Sequence, residues 1–460
     1  MSPVEPGHSW LTPRRFVAAL VLGLVVRLAT LPLPGHDDVI TWKIWSYAAS
    51  RHVTRMYGVG GSPPIRGIVT WGDLWTTVDY PPFFLYEYAI VGRIYRTLFP
   101  TYPDTLALLV ALKLPVLIAS MGITGLFFAA VRRIGGQEEP ARWAALAYWC
   151  NPATIFGGEM LGYVDPLYFL PAIGGAVLAY LRRPWMAGVL VGIAVATKPQ
   201  GVLIGPAFAL ALWQGGGAHA IARAGVAFCA TIALIVLPYA RLGALPNMWL
   251  AFGSFDVRRD TMSAYAANIG CIINWWLRSW FGLPELRFPR AFLQLVPRPL
   301  AITRFRELGY PNPRPIGRTA VVAAVAWAMW LTRRSKDFAL AAALGAFTVH
   351  AFFVLSPGMH EQHQLFEVPL LALAASLRRR LRPVFAAVSA IVALNINYIY
   401  GAGLGMGWAV PRMMTGIDLS VLVAFVNVGV LFWFARRLRD EARADRQASA
   451  ATRPLGAGGS

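Results

Sequence analysis

Long apolar runs separated by short polar segments constrain this chain more than any other feature. Because a lone strand cannot satisfy its backbone hydrogen bonds in lipid, each run that can cross a bilayer, or nearly so, is expected to be a helix. Twelve runs qualify, at residues 14–33, 106–131, 142–157, 165–181, 185–197, 200–214, 219–239, 317–332, 338–355, 364–378, 383–400 and 418–436. Charged residues make up only 14% of the chain, against roughly 25% in soluble proteins. The sequence therefore predicts an all-α integral membrane protein with about 12 transmembrane helices, 11 to 14 being compatible with the pattern.

Basic residues form short clusters between these runs and set the predicted topology. The net charge of +20 is scattered over pairs such as Arg132-Arg133, a pattern typical of inner loops and lipid contacts and not of a nucleic-acid-binding face. The clusters all fall on the inner side if residues 80–98 lie along the interface as an amphipathic helix instead of crossing. The outer side then receives residues 34–105, 158–164, 198–200, 240–316, 356–363 and 401–417.

Two adjacent carboxylates, Asp37 and Asp38, follow the first apolar run in a Pro-Gly-His-Asp-Asp segment at residues 34–38. An acid here can simply cap the next helix, expected from Asp38 to about Ser50, and interact favourably with its dipole. Capping needs only one carboxylate, so it does not account for the pair. Because neighbours on a helix point about 100° apart, only one of the two is expected to face a pocket.

Polar residues in or beside later runs have competing interpretations. Lys198 lies between two short apolar segments, where it either snorkels to the interface or pairs with an anion. A phosphate is the preferred partner, with Gln200 helping to hold it. Asp165 precedes Pro166 at the start of a run, an arrangement typical of a helix N-cap. Arg27, late in the first run, is expected to snorkel outward.

Two polar turns on the predicted outer side add further candidates. His360, Glu361 and His363 offer two histidines three residues apart and a carboxylate, which can bind a metal. No further ligand is evident beside them in the sequence, so hydrogen bonding to a substrate is favoured over a metal. Asp79 precedes Tyr80 and two prolines, where it serves as a turn or cap residue or orients a ligand.

Four short motifs follow one another on the predicted outer side. They are His36-Asp37-Asp38 with Trp42, Trp45 and the later Asp79-Tyr80-Pro81-Pro82; Gly162-Tyr163-Val164-Asp165; Lys198-Pro199-Gln200; and Met359-His360-Glu361. In this order they resemble the first outer loop, the GQVD loop, the KPQ turn and the MHERY loop of the GT-C glycosyltransferases. The most similar branch contains the dolichyl-phosphate-glucose-dependent glucosyltransferases of N-glycan assembly and related bacterial enzymes. The sequence departs from the family where Gln362 and His363 replace Arg-Tyr.

The resemblance implies an inverting transfer of a hexose, mannose or glucose, from a polyprenyl-phosphate donor to an acceptor hydroxyl. A phosphate leaving group needs cations more than a general acid, so one carboxylate suffices as general base. The family pattern implies Asp38 in that role, with Asp37 as the fallback. It further implies residues for the donor phosphate or sugar, namely Lys198, Gln200, His360, Glu361, Arg258 and Arg259. Residues implied to contact the acceptor or shape the site are His36, Asp79, Tyr80, Asp165 and Trp275.

The topology and the resemblance together predict one catalytic transmembrane domain over residues 1–436. It comprises a GT-C-like core (12–240) with the outer loop 34–105, a long outer loop (241–316) and C-terminal helices (317–436). A cytoplasmic tail (437–460) follows, which is expected to be disordered because it is charged and then rich in Ala and Gly. The expected acceptor is a lipid-linked glycan, a phospholipid or a polymer. No cofactor is implied; a divalent metal is compatible with the pattern but not indicated. The expected location is the cell (inner) membrane if the source is bacterial, with the active site on the outer face.

Two other functions suit a polar cluster in an apolar protein. A transporter or flippase of a lipid-linked molecule also needs polar groups among its spans. However, the candidate residues cluster on one predicted face, and few acids or amides lie at mid-span. A non-catalytic scaffold would need no such cluster, so the transferase is the leading interpretation.

Overall fold

Helices form wherever the sequence has a long apolar run, because hydrogen bonding within the helix satisfies the backbone. The computed structural model describes residues 11–58, 67–253, 262–263, 266–281, 313–403, 405–406, 413–414 and 417–451. The protein is 80% helical and nearly all-α. The fold class predicted from the sequence is confirmed at this level.

The chain order of the helices gives the frame for the site. The helices before residue 260 are α1 (Pro13–Thr30), α2 (Val39–His52), α3 (Pro82–Leu98), α4 (Leu106–Gly135), α5 (Glu138–Trp149), α6 (Pro152–Ile155), α7 (Asp165–Tyr180), α8 (Pro184–Thr197), α9 (Gly205–Ala240) and α10 (Leu245–Gly253). The later ones are α11 (Ile269–Phe281), α12 (Pro313–Thr332), α13 (Phe338–Leu355), α14 (Glu367–Leu377), α15 (Arg382–Tyr400) and α16 (Leu419–Ala451). Short 3₁₀ helices cover Val53–Arg55, Pro199–Ile204, Glu361–Gln364 and Arg379–Leu381, and a π-helix covers Phe156–Met160.

Among the described residues, six helical segments are long and apolar enough to cross a membrane. They are Leu106–Gly135, Pro199–Ala240, Pro313–Thr332, Phe338–Leu355, Arg379–Tyr400 and Leu419–Ala451. The other predicted crossings fold as helices that are shorter or carry more charge. For example, α7 has 16 residues and α8 has 14. Twelve crossings therefore stay a prediction.

The predicted division between the runs 200–214 and 219–239 corresponds to a break inside α9. Gly216 and Gly217 have non-helical backbone angles, and Gly217 has a φ of +62°. Glycine reaches this left-handed region without the steric cost that a Cβ imposes. The chain therefore changes direction between the two predicted runs, as the sequence suggested.

The segment 80–98 forms α3, which packs on α2 in a core of its own. Phe84 and Tyr88 are buried on one face of α3 and lie against Trp42. Gly92 lets the two helices approach closely, since a Cβ there would lie 2.2 Å from the Ser46 carbonyl oxygen. Helix α3 has 17 residues, and its predicted position along the interface stays a prediction.

Two short hairpins correct the strictly all-α prediction. Strands β1 (Ile68–Trp71) and β2 (Leu74–Thr77) pair antiparallel, with Ile68 opposite Thr77. Gly72, with a φ of +58°, turns the chain between them. Strands β3 (Met413–Met414) and β4 (Ile417–Asp418) form a second antiparallel pair. Neither hairpin was predicted, because the strands are short and their sequences contain no long alternation of apolar and polar residues.

The prediction that Arg27 snorkels outward is wrong, because its guanidinium is buried inside the bundle. Arg27 forms an ion pair with Glu159, and both side chains are fully buried. The guanidinium also donates to the Trp149 carbonyl oxygen at 3.0 Å and to the Thr154 hydroxyl at 2.9 Å. A partner and several hydrogen bonds together make a buried charge tolerable in an apolar interior. The pair ties α1 to the π-helix.

A second buried polar network joins α13, α14 and α16. His350 Nδ1 lies 2.8 Å from both carboxylate oxygens of Glu367. The amides of Gln364 and Asn427 exchange hydrogen bonds at 3.1 and 3.0 Å, and Gln364 also donates to Glu367. All four side chains are fully buried. Such a satisfied network fixes the register of the helices that carry it.

The prediction of a disordered tail from residue 437 is wrong as far as residue 451. Helix α16 continues to Ala451. Arg378 helps to hold it, because the guanidinium lies 3.6 Å from Glu441 and 3.1 Å from Asp445. It also donates to Asp337 at 2.6 Å. Charge in the tail therefore makes specific contacts, while residues 452–460 lie outside the described part of the chain.

Candidate functional site

The segment that carries the two adjacent acids is fixed to the loop 156–164 by its backbone. The His36 amide donates to the Leu161 carbonyl oxygen at 2.9 Å. Gly35 has a φ of +83°, and a Cβ there would lie 2.7 Å from the same oxygen, so only glycine fits. Buried Lys113 donates to the carbonyl oxygens of Leu33 (2.6 Å) and Met160 (2.7 Å). These contacts hold the acids at one end of the bundle.

His36 lies beneath the two acids as a buried aromatic floor. Its ring stacks on Tyr163, with ring centroids 4.0 Å apart. Nδ1 lies 3.2 Å from the Asp38 amide nitrogen and 3.4 Å from Asp37 Oδ1. Nδ1 accepts from the Asp38 amide when it carries no proton and donates to Asp37 when it carries one. The ring therefore hydrogen-bonds to one of the two residues at a time.

Asp37 and Asp38 differ in their partners. The Asp37 side chain is 65% exposed and that of Asp38 50%. Asp37 accepts a hydrogen bond from the Tyr400 hydroxyl at 3.0 Å. The pKa of the Asp37 carboxyl lies below its ordinary value, mainly because of the His36 hydrogen bond and also because of Tyr400. Asp37 is therefore a weaker proton acceptor than an ordinary aspartate side chain.

Asp38 occupies the N-cap position of α2 but forms no side-chain capping hydrogen bond. The helix itself runs from Val39 to His52, which confirms the predicted helix. The capping explanation would require the Asp38 carboxylate to accept from an amide of the first turn. Its carboxylate is instead half-exposed, with Oδ2 3.8 Å from His36 Nδ1.

Glu361 brings a third carboxylate to the same place. Its side chain is buried and accepts a hydrogen bond from the Tyr163 hydroxyl. Among the described residues it has no hydrogen-bond partner for its second oxygen, Oε2. Burial raises the pKa of Glu361 to about 7, with the nearby Asp37 and Asp38 carboxylates adding to the effect. We call Asp37, Asp38, Glu361, Tyr163 and Tyr400 the carboxylate cluster.

The raised pKa of Glu361 predicts a pH-dependent stability. Between about pH 4.5 and pH 7 the unfolded chain has released this proton while the folded protein retains it. Raising the pH through this window therefore lowers stability, by at most about 1.4 kcal/mol per pH unit, and has no further effect above it. Glu361→Gln should remove this component, measured as the unfolding midpoint in detergent from pH 4.5 to 8.

The matched control is Asp73→Asn, in the exposed turn of the β1–β2 hairpin. It should keep the wild-type dependence on pH. If Glu361→Gln showed the same pH dependence as wild type, the buried carboxyl would not be the titrating group.

Lys198 and Asp165 form a buried ion pair. The Lys198 ammonium donates to Asp165 Oδ2 at 2.7 Å, and the two side chains are 3% and 1% exposed. The snorkelling interpretation of Lys198 is therefore wrong. The N-cap of α7 is Val164, so the N-cap interpretation of Asp165 is wrong as well. Since Asp165 neutralises the ammonium, a phosphate is not needed to explain the position of Lys198.

Tyr80 connects this ion pair to the helix that begins at Asp38. The Lys198 ammonium lies 5.8 Å from the centre of the Tyr80 ring, within range of a cation–π interaction. The same ring lies 5.1 Å from that of Trp42. The Tyr57 hydroxyl donates to the Tyr80 carbonyl oxygen. Burial raises the pKa of Tyr57, and the nearby Tyr239 and Asp79 add to the effect.

Gln200 and the histidine turn meet beside the ion pair. Gln200 Nε2 lies 3.3 Å from His363 Nε2, and His363 Nδ1 accepts from the His360 amide at 3.1 Å. The neutral imidazole then carries its proton on Nε2, which suits the Gln200 amide oxygen as acceptor when that amide is turned. Because both nitrogens of His363 have partners, the metal interpretation of this turn is not supported.

One further predicted site residue, Trp275 in α11, packs against Phe425 of α16, with ring centroids 6.3 Å apart. This contact is one of helix packing. Arg258 and Arg259 lie outside the described residues.

The acids can also act as cation ligands. Within the described part of the chain, His36, Asp37 and Asp38 are the one group of three whose ligand atoms lie within 4.8 Å of one another. One ring nitrogen and two carboxylates suit a divalent metal. The same exposed carboxylates can take a proton from a hydroxyl group, and the structure fits both uses.

Sequence reasoning missed the two tyrosines of the cluster. Tyr163 lies inside a quoted motif, between a glycine and Asp165, and Tyr400 ends the predicted run 383–400 on the outer side. Polar aromatics at the outer end of a run also anchor helices at the interface. Their contacts with Glu361 and Asp37 join residues 198 and 363 positions apart, which no local pattern reveals.

The geometry stands without support from sequence comparison. Comparison of the chain with models of known protein families finds no match, and comparison with curated protein sequences finds none either.

Proposed function

We propose that this protein is a membrane glycosyltransferase of the GT-C type. It moves a hexose, mannose or glucose, from a polyprenyl-phosphate donor to a hydroxyl of a lipid-linked, phospholipid or polymer acceptor. The observation that carries the proposal is the pair of half-exposed carboxylates, Asp37 and Asp38, fixed over the His36 ring. Asp38 forms no capping hydrogen bond to α2, so helix capping does not account for its half-exposed carboxylate.

The proposed reaction is a single displacement with inversion. The acceptor oxygen forms a bond to the anomeric carbon as the bond from that carbon to the phosphate oxygen breaks. The bonding electron pair leaves with the polyprenyl phosphate, and Asp38 takes the acceptor proton. No second carboxylate is needed to protonate a leaving phosphate. Asp37 and Glu361 then serve to position the acceptor and the sugar.

The membrane arrangement is part of the proposal. Twelve crossings, with α3 along the interface, place the carboxylate cluster on the outer face, which is the outside of the cell membrane if the source is bacterial. A donor linked to a lipid reaches such a site by diffusion within the bilayer. Membrane lipids are the expected partners, and nucleic acid is not.

A lipid transporter is the second candidate, supported by an apolar groove. A cavity of about 500 Å³ is lined by residues of α3, α4, α7 and α8, with charge contributed by Glu87 and Arg133. Its apolar walls suit a lipid chain that passes or rests between helices. A transporter, however, gives no role to the paired carboxylates at the end of the bundle.

The test is incubation of membranes containing the protein with a panel of labelled polyprenyl-phosphate sugars. A transferase yields a new labelled product with a mannosyl or glucosyl donor, and the Asp37→Asn/Asp38→Asn double variant does not. A transporter instead moves the intact donor between the leaflets of sealed vesicles. Movement of donor without any new product would replace the transferase by the transporter.

A further inference from the structure

A cavity of about 350 Å³ lies between α12 and the turn after α13. Its lining residues are Pro199, Gln200, Val202, Leu203, Arg314, Arg318, Phe352, Ser356, Pro357, Gly358 and Met359. Gln200 belongs to both this cavity and the contact with His363, the residue that follows Glu361 and Gln362. The cavity therefore lies next to the proposed transfer site, joined to it through Gln200.

Two arginines give this cavity its charge. Arg314 and Arg318 are four residues apart, so they lie on one face of α12, about one turn from each other. They occupy the first two turns of the helix, which begins at Pro313. Basic side chains are disfavoured at a helix N-terminus, where the dipole is positive. An anion bound in the cavity would interact favourably with both guanidinium groups.

A glycine brings the arginines to the opposite wall. A Cβ on Gly317 would lie 2.6 Å from the Leu355 carbonyl oxygen and 2.8 Å from the Pro357 ring. Only a residue without a side chain allows α12 to approach the end of α13 this closely. Arg314 and Arg318, which lie on the same face of α12 as Gly317, thus line the cavity together with residues 356–359. His360 and Glu361 follow this turn in the chain.

The rest of the cavity is apolar. Val202 and Leu203 on one side and Phe352 on another are typical of a surface that contacts hydrocarbon. Two guanidinium groups beside such walls match a phosphate monoester that carries a long apolar chain. Arginine binds phosphate in a bidentate geometry, which favours this class of ligand over a lipid without an anionic group.

We infer that Arg314 and Arg318 bind the phosphate of the polyprenyl-phosphate donor, in place of Lys198. The inference rests on the proposed transferase function and deepens it. Lys198 is neutralised by Asp165, and the family's Arg-Tyr is replaced by Gln362 and His363. The arginine pair supplies the positive charge that a leaving phosphate needs.

The test measures binding of a fluorescent polyprenyl monophosphate without sugar to the full-length protein in nanodiscs. Arg314→Gln and Arg318→Gln should each weaken binding about tenfold, and the double variant about a hundredfold. Arg334→Gln is the matched control, since this exposed arginine lies just beyond the opposite end of α12. Arg314→Lys/Arg318→Lys should recover part of the affinity, and unfolding midpoints show that each variant is folded.

Competing ligands identify the chemistry that is recognised. The corresponding polyprenol lacks the phosphate and inorganic phosphate lacks the apolar chain, so both should compete far more weakly than the prenyl phosphate. Phosphatidic acid has a phosphate monoester and apolar chains of another shape, so it should compete more weakly than the prenyl phosphate but more strongly than either of these. Equal competition by phosphatidic acid would make the cavity a general lipid-headgroup site and overturn the inference.

The outcomes separate this inference from the proposed function. If the Arg314→Gln/Arg318→Gln double variant binds the prenyl phosphate as tightly as the wild type does, the assignment of the arginines is overturned. The proposed transferase function is not affected by that result. A wild-type protein that binds no prenyl phosphate overturns both.

Discussion

Replacing Asp38 with asparagine is expected to lower the rate of sugar transfer by about a hundredfold to ten-thousandfold, the range associated with loss of a general base. Asparagine keeps the shape of the side chain but cannot accept the acceptor proton. Because Asp38 makes no capping hydrogen bond to α2, the substitution should leave the helix and donor binding intact. The measurement is the turnover rate at saturating donor, with binding of the donor measured separately.

Asp37→Asn is the comparison that makes this prediction specific. Asp37 already accepts from Tyr400, and its pKa is lowered by His36 first and Tyr400 as well. Its loss should reduce turnover about tenfold or less, as for one hydrogen bond that positions the site. If Asp37→Asn lost most of its turnover rate while Asp38→Asn kept a near-native rate, Asp37 would be the general base and Asp38 the positioning residue. If both variants turned over at the native rate, neither residue would be the general base.

Local patterns explain the parts of the fold that could be predicted. Apolar runs specify helices because a backbone in lipid has no other partner than itself. The two glycines at 216 and 217 divide one apolar stretch, and the structure breaks there. Likewise, the proline pair at residues 81 and 82 indicated where the next helix begins, and α3 starts at Pro82.

Long-range pairing explains what could not be predicted. Arg27 and Glu159 are 132 positions apart, and from the sequence Arg27 is as compatible with snorkelling as with a buried ion pair. The presence of a charge at Arg27 does not indicate which residue it pairs with. The tail was predicted to be disordered from its composition, yet Arg378 contacts Asp445 and so helps to hold that part of the chain. Contacts between distant elements decide such cases.

The candidate site shows the same division. The motifs placed Asp38, Asp165, Lys198 and Glu361 on one predicted side, but their partners emerged only from the fold. Lys198 was expected to pair with an anion, and a phosphate was preferred. The anion is Asp165, which lies 33 positions away in sequence and 2.7 Å away in space. The arginines at 314 and 318 were overlooked because the predicted helix began at residue 317, between them.

Lys198→Met is expected to destabilise the protein by about 3–5 kcal/mol, because it leaves the buried Asp165 carboxylate without its counter-ion. The ion pair is almost completely buried, so solvent cannot replace the lost partner. Asp165→Asn should cost a similar amount by leaving the ammonium unpaired. The Lys198→Met/Asp165→Leu double variant should recover most of the stability, since two apolar side chains of similar volume can replace a buried ion pair.

The measurement is the unfolding midpoint in detergent, followed by the fluorescence of the 17 tryptophans. Lys336→Met, at an exposed lysine that follows α12, provides the matched control and should unfold like the wild type. A role of Lys198 in phosphate binding makes the opposite prediction. It requires Lys198→Met to unfold like the wild type and to bind polyprenyl phosphate more weakly. If the ion pair is structural, stability falls with either single substitution and returns in the Lys198→Met/Asp165→Leu double variant. The affinity of that double variant for the lipid phosphate should then still depend on Arg314 and Arg318.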